Sequence, residues 1–137
     1  MVPFPDLDRA VEGADVVVAL TSSARAVVEP RHLAAGGTVL GLGGGAEISA
    51  GVLTVADRFF VDDPGYAGVT GSVAAWLADG LPSDTLHTRL TGGLPAVAAG
   101  MLPGRTAPSQ RILAVVQGLA ARDVALATLA LNRLDIR

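Results

Sequence analysis

The sequence predicts an α/β protein built on a parallel sheet. Three observations carry that prediction. Short apolar runs closed by small polar residues recur at roughly twenty-residue spacing, over 14–20, 38–42 and 58–62. Segments of helical period lie between them, as crossovers between parallel strands require. Half of the 137 residues are apolar, 17% are charged, and 17 glycines among many Ala and Val residues leave small side chains that suit close packing of layers. The length is that of one domain, taken as 1–137.

Each element follows in chain order. Asp6 stands ahead of Leu7-Asp8-Arg9-Ala10-Val11 as the cap of a brief helix over 5–11. The run Ala14-Asp15-Val16-Val17-Val18-Ala19-Leu20 does not alternate, so the first strand is expected to be buried on both faces. One or two helical turns are expected over Val27–Leu33, and Gly36-Gly37 opens the second strand, 38–42, which ends at Gly43-Gly44-Gly45. Ile48–Ala56 reads as helix and 58–62 as the third strand. Ala67–Ala78 places Val69, Val73, Trp76 and Leu77 at helical spacing and stops at Gly80-Leu81-Pro82. The Gly- and Pro-rich stretch Thr91–Pro108 is expected to be irregular apart from a turn at Ala96–Ala99. A fourth strand is expected at 112–116 and a long helix at 118–134, apolar nearly all round and so expected to be buried on more than one side.

Composition excludes several chemistries. There is no cysteine, and all ten basic residues are arginine. That removes disulfides, thiolate metal sites, a nucleophilic cysteine and a Schiff-base lysine. A net charge of −3 without a basic stripe argues against nucleic acid. His32 and His87 have no acidic ligand at metal spacing, so no metal site is expected and both read as surface histidines. The Pro- and acid-rich N-terminus is unlike a signal peptide, and Val16–Leu20 is far short of the ~20 residues that span a bilayer. A cytoplasmic protein with no membrane partner is expected.

Several segments, taken in order, resemble one family. Gly13-Ala14-Asp15-Val16-Val17-Val18 through Thr21-Ser22-Ser23 is similar to the second half of the dinucleotide-binding domain of the ornithine cyclodeaminase/μ-crystallin family. So are Leu33-Ala34-Ala35-Gly36-Gly37-Thr38-Val39, Phe60-Val61-Asp62-Asp63, Ala99-Gly100, Pro103-Gly104-Arg105-Thr106 and Gly118-Leu119-Ala120-Ala121-Arg122-Asp123. The collinear set spans about 8–133. The resemblance implies a partial Rossmann-like sheet of three to four strands with flanking helices and a long C-terminal helix. It also implies kinship with NAD(P)-dependent enzymes that oxidise an amino acid to an imine, reduce an imine, or, in ornithine cyclodeaminase, close ornithine into proline with loss of ammonia.

Departures from the family pattern shape the expected chemistry. The family's Gly-rich pyrophosphate turn and ribose-binding acid belong to a front half that this chain is expected to lack. Gly41-Leu42-Gly43-Gly44-Gly45-Ala46 fits the letters of such a turn, yet by register it resembles the turn after the family's fifth strand. The family's substrate-binding lysine has no counterpart, its Asp after the Gly-Gly pair falls on Gly45, and its Ser ahead of the last helix falls on Val116. Glu47 is the nearest carboxylate and the candidate acid–base residue, or else a helix-start residue favoured by the macrodipole.

Thr21, Ser22, Ser23, Gly43, Gly44 and Asp62 are the candidate substrate- or cofactor-binding residues, because they close strands at the edge where open α/β sheets gather ligands. Capping by the first three, and a plain turn at Asp62-Asp63-Pro64-Gly65, are the structural alternatives. Arg89, Arg105 and Arg111 either bind a carboxylate or are solvated, and Asp123 is expected to pair or cap. Two functions remain open. One is a truncated family member acting on an amino acid, amine or imine by a cyclisation or deamination, a lyase or cyclase type of reaction. The other is a non-catalytic subunit or assembly module. No cofactor is expected, with NAD(P) admitted only if a partner supplies the missing half. A bare apolar first strand is an aggregation template. A homodimer or hetero-oligomer is therefore expected through strand 14–20 and helix 118–134, alongside a small-molecule ligand.

Overall fold

The structure, a computed structural model, describes residues 6–134; Pro5 of the first expected helix lies outside that range. In chain order the elements are α1 (Leu7–Val11), β1 (Val16–Ala19), a 3₁₀ turn (Pro30–His32), β2 (Thr38–Gly41), α2 (Ala50–Val55), β3 (Arg58–Val61), α3 (Gly71–Ala78), α4 (Ser83–Arg89), β4 (Leu90–Gly93), α5 (Leu94–Ala98), β5 (Ile112–Val115) and α6 (Ala120–Leu134). The five strands form one parallel sheet in the order β1-β2-β5-β3-β4. The expected α/β, Rossmann-like class is therefore observed, with one strand more than the sequence revealed.

Caps account for several boundaries. The Asp6 carboxylate accepts from the Asp8 amide to start α1, and the Ser49 hydroxyl accepts from the Gly51 amide to start α2. The extra strand falls in the stretch expected to be irregular. Leu90–Gly93 is half-buried and pairs with β3 across a register shift between Phe59 and Phe60. Two glycines in four residues hide a strand from propensity, but a sheet edge demands backbone pairing more than side-chain bulk. Leu94–Ala98 follows as α5, with Pro95 in its first turn.

Side-chain alternation divides the core in two. Val17, Ala19, Val39, Phe59, Val61, Leu113 and Val115 point to the face covered by α2, α3 and the 3₁₀ turn, where they meet Leu33, Val52, Leu53, Val73 and Trp76. Phe60, Ile112 and Ala114 point to the other face and pack with Leu94, Val97 and Leu102. That second layer stops short of β1. Val16 and Val18 are 52% and 53% exposed, so the first strand is buried on one face and open on the other, contrary to expectation. An edge strand needs only one buried face, and the unbroken apolar run concealed this. Every residue of α6 is likewise exposed, so its expected burial is not met within one chain.

Candidate functional site

The carboxyl ends of the strands gather most of the residues singled out from sequence, and one buried acid organises them. Glu47 has no exposed surface. Its Oε2 accepts from the Thr21 amide at 2.6 Å and the Thr21 hydroxyl at 2.7 Å, and its Oε1 accepts from the Gly43 amide at 2.7 Å. The carboxylate thus joins the loop after β1 to the loop after β2. Its backbone carbonyl adds two more ties, accepting from the amides of Val27 and Val28 at 2.9 Å. A buried carboxylate with three donors is a strong brace. Both oxygens of this candidate acid–base residue are engaged by the chain's own amides and hydroxyl.

Glycine is required here by the chain's own packing. A Cβ at Gly43 would stand 2.1 Å from the Thr21 carbonyl oxygen, and one at Gly45 would stand 2.3 Å from the Ser23 carbonyl oxygen. Gly44 faces open space. The Gly43–Gly45 turn does not run straight into a helix, since α2 begins only at Ala50. It therefore lacks the amide cradle of a pyrophosphate-binding turn. From α3, the Ser72 hydroxyl accepts from the Ile48 amide at 3.1 Å, and the Trp76 indole donates to the Ile48 carbonyl at 2.7 Å. Four residues apart on one helix, Ser72 and Trp76 face the loop together. Neither was singled out for this from sequence, although their spacing was the available signal.

Thr21 and Ser22 are exposed, while the Ser23 hydroxyl donates to the Arg25 carbonyl at 2.7 Å in a local turn. Asp62 does not join this group; β2 and β5 lie between β1 and β3. It is 4% exposed, and its Oδ2 accepts from the Gln117 amide at 2.9 Å, the Gly118 amide at 2.8 Å and the Arg122 guanidinium at 2.7 Å. Its role in the structure is to fix the exit from β5 and the first turn of α6. Arg122 as its partner, 60 residues away, left no mark in the sequence. Beside Asp62 the edge opens into a groove of about 410 Å³ between Asp63, Gly93, Met101 and Leu119.

Between these two braces lies a rim of different character. Leu42 and Val116 follow the paired residues Gly41 and Val115, so they are neighbours at the carboxyl ends of β2 and β5, Leu42 exposed and Val116 half-buried. Next to Val116, both polar atoms of the Gln117 side-chain amide are buried and unpartnered, pressed against Gly71. A buried amide without partners costs about 1–3 kcal/mol per group.

The histidines and arginines are placed elsewhere. His32 is buried rather than on the surface, with its Nδ1 accepting from the Glu29 amide at 3.0 Å. Its Nε2 therefore carries the proton and donates to Asp8 at 2.6 Å. Arg31 and His32 hold the Asp8 carboxyl below the usual carboxylate range, the imidazole hydrogen bond being the larger cause. His87 is exposed on α4. Among the described residues no cluster of three His, Asp or Glu side chains could hold a metal ion, and no helix is long and apolar enough to cross a membrane.

Comparison with known proteins follows this geometry. No curated protein is a significant sequence match. Among solved structures, the Δ¹-pyrroline-2-carboxylate reductase of Thermococcus litoralis, in complex with NADH and L-proline, superposes with a TM-score of 0.77 at 20% identity, over 90% of this chain and 38% of that one. An archaeal alanine dehydrogenase dimer with bound NAD gives 0.70 at 27% identity, over 83% and 36%. The iminosuccinate reductase of Paracoccus denitrificans, in complex with NAD+, gives 0.75 at 26% identity, over 93% and 39%. The chain thus spans about two fifths of the length of these proteins. The expectation that no cofactor is involved is corrected by these dinucleotide-bound structures; it rested on the absence of a Gly-rich fingerprint from the part of the fold this chain spans. The family match itself covers residues 4–135, and the chain belongs to the ornithine cyclodeaminase/mu-crystallin family.

Proposed function

We propose that this chain forms the nicotinamide-side half of an NAD(P) site that serves redox chemistry on an amino acid or its imine. The observation that carries the reading is the rim at the carboxyl ends of β1, β2 and β5. There the Thr21 and Gly43 main chain is pinned to buried Glu47, the apolar residues Leu42 and Val116 stand at neighbouring strand ends, and the Gln117 amide lacks partners. An aromatic ring bearing a carboxamide needs a floor and polar groups of this kind. The rim fits that part of a dinucleotide and not its pyrophosphate, for which the described residues offer no cradle. Alanine dehydrogenase and iminosuccinate reductase, at 27% and 26% identity, supply the cofactor and substrate class.

The residues would divide the work as follows. Thr21, Ser22 and Gly44 present backbone and hydroxyl groups at the rim, Leu42 and Val116 keep water from one side of the ring, and Glu47 and Asp62 position the loops from beneath. A bound nicotinamide would accept or donate a hydride. With Glu47 sealed and Asp62 saturated, a substrate acid or base would come from outside this set. The same fact favours the second reading, a non-catalytic module.

The test is titration of the purified chain with nicotinamide mononucleotide, NADH and NADPH by calorimetry and by the nicotinamide fluorescence change. Binding of the mononucleotide, weakened about tenfold or more in Leu42→Asp, is the expected result. Absence of binding by all three nucleotides would dispose of the cofactor reading and leave the assembly module.

A further inference from the structure

We propose that the groove between the loop after β1, the approach to α2 and α3 is a binding site for a free amino acid, which sets its carboxylate on Arg25 and its ammonium on Asp79. The groove encloses about 400 Å³, the size of a small-molecule pocket. Arg25 stands on one wall, Ala46 and Ser49 on another, and Ala75, Trp76 and Asp79 on the third. It shares no residue with the rim proposed for the nicotinamide, so the two sites stand or fall separately.

Charge defines the ligand. Arg25 and Asp79 are the only charged residues lining the groove, one of each sign, and both are exposed. Among the described residues neither charged group has an ion pair, those present being Arg31–Asp8, His32–Asp8 and Arg122–Asp62. The two therefore face one groove without bridging it. Asp79 also stands against the helix dipole. It caps the carboxyl end of α3, its amide donating to the Ala75 and Leu77 carbonyls, and an anion there is disfavoured until a cation joins it.

Each end of an amino acid answers one of these groups. A ligand ammonium beside Asp79 meets the carboxylate and the last carbonyls of α3 together. A ligand carboxylate takes the Arg25 guanidinium in a two-pronged contact. The Ser49 hydroxyl accepts from the Gly51 amide at 3.2 Å and, among the described residues, keeps its own proton for an acceptor. A singly charged ligand would leave one of the two groups without a partner, so the groove selects a zwitterion. Between the charges the lining is mostly alanine and indole. The Trp76 Nε1 donates to the Ile48 carbonyl at 2.7 Å, which fixes the ring in advance as a surface for an aliphatic side chain.

Trp76 is the sole tryptophan, so its fluorescence reads this groove. The experiment titrates the purified chain with L-leucine, with leucinamide, which lacks the carboxylate, and with 4-methylpentanoate, which lacks the ammonium. A saturable change with L-leucine is expected. Each analogue, and L-leucine in each of the variants Arg25→Gln and Asp79→Asn, should bind about fivefold more weakly, the worth of a partly exposed ion pair. Both positions are exposed, and native circular dichroism checks that the variants fold. Excess nicotinamide mononucleotide should leave the L-leucine affinity unchanged. No saturable change with L-leucine overturns the proposal. So does an analogue that binds as tightly as L-leucine, a variant that keeps the wild-type affinity, or competition by the mononucleotide, which would put the amino acid at the rim.

Discussion

At the amino end of the sheet guanidiniums reach the backbone carbonyls, beside one carboxylate, Asp57, that accepts from the Arg111 amide at 2.7 Å, while at the carboxyl end carboxylates take the amides. Arg105 donates to the Thr38 hydroxyl at 2.9 Å and to the Gln110 carbonyl, Arg111 to the Leu33 carbonyl at 3.2 Å, and Arg89 to the carbonyls of Leu53 and Ala56 at the end of α2. Glu47 and Asp62 instead accept from amides. The polarity of the fold explains the division. Crossover helices run back against the strands, so unpaired carbonyls collect at one end and unpaired amides at the other. The arginines lie over their carbonyls from outside, and the acids sit under their amides from inside. One end is therefore covered by its own side chains, and the other is braced from beneath with Thr21, Ser22, Leu42 and Gly44 exposed on its outer surface.

Removing a brace from below should cost more than removing a cover from above. Glu47→Ala strands three donors in a buried space, and a loss of about 3–5 kcal/mol in urea denaturation is expected. A loss under about 1 kcal/mol would mean that water replaces the carboxylate and that the brace is not needed. Asp62→Ala should follow at about 2–3 kcal/mol, because the Arg122 side chain is half-exposed and water can serve it. The same variant should speed amide exchange at Gln117 and Gly118 while leaving that of Gly43 unchanged, since the two braces share no partner.

This division was only partly legible in the sequence. Spacing of the apolar runs located β1, β2, β3 and β5, and the glycine turns marked where the carboxyl edge lies. Two things were hidden. Leu90–Gly93 became a strand because β3 offers it a backbone partner, a gain that no residue of Leu-Thr-Gly-Gly announces. Glu47 read as an acid–base candidate or a helix-start residue because sequence shows neighbours along the chain, whereas its donors Thr21 and Gly43 arrive through the pairing of β1 with β2. The arginines looked solvated for the same reason. Their carbonyls are gathered by the sheet, from positions up to 78 residues away.

Arg105→Met tests the covered end and should cost about 1 kcal/mol, since the carbonyls it serves are partly wet. The smallest effect belongs to the Asp8–His32 pair beside it and is best read by pH. The imidazole accepts the Glu29 amide on Nδ1 and donates to Asp8 from Nε2. Only ionised Asp8 accepts fully from both His32 and Arg31, and its carboxyl is held below its ordinary value of 3.8. A lowered folded-state value means that the unfolded chain takes up the proton first. The contribution is thus complete above about pH 4 and fades as pH falls through the lowered value. Amide exchange in α1 should accelerate across that acid window in the wild type and show no such step in Asp8→Asn. If the step persists in Asp8→Asn, another acid holds α1, and the amino end is closed by more than its arginines and this pair.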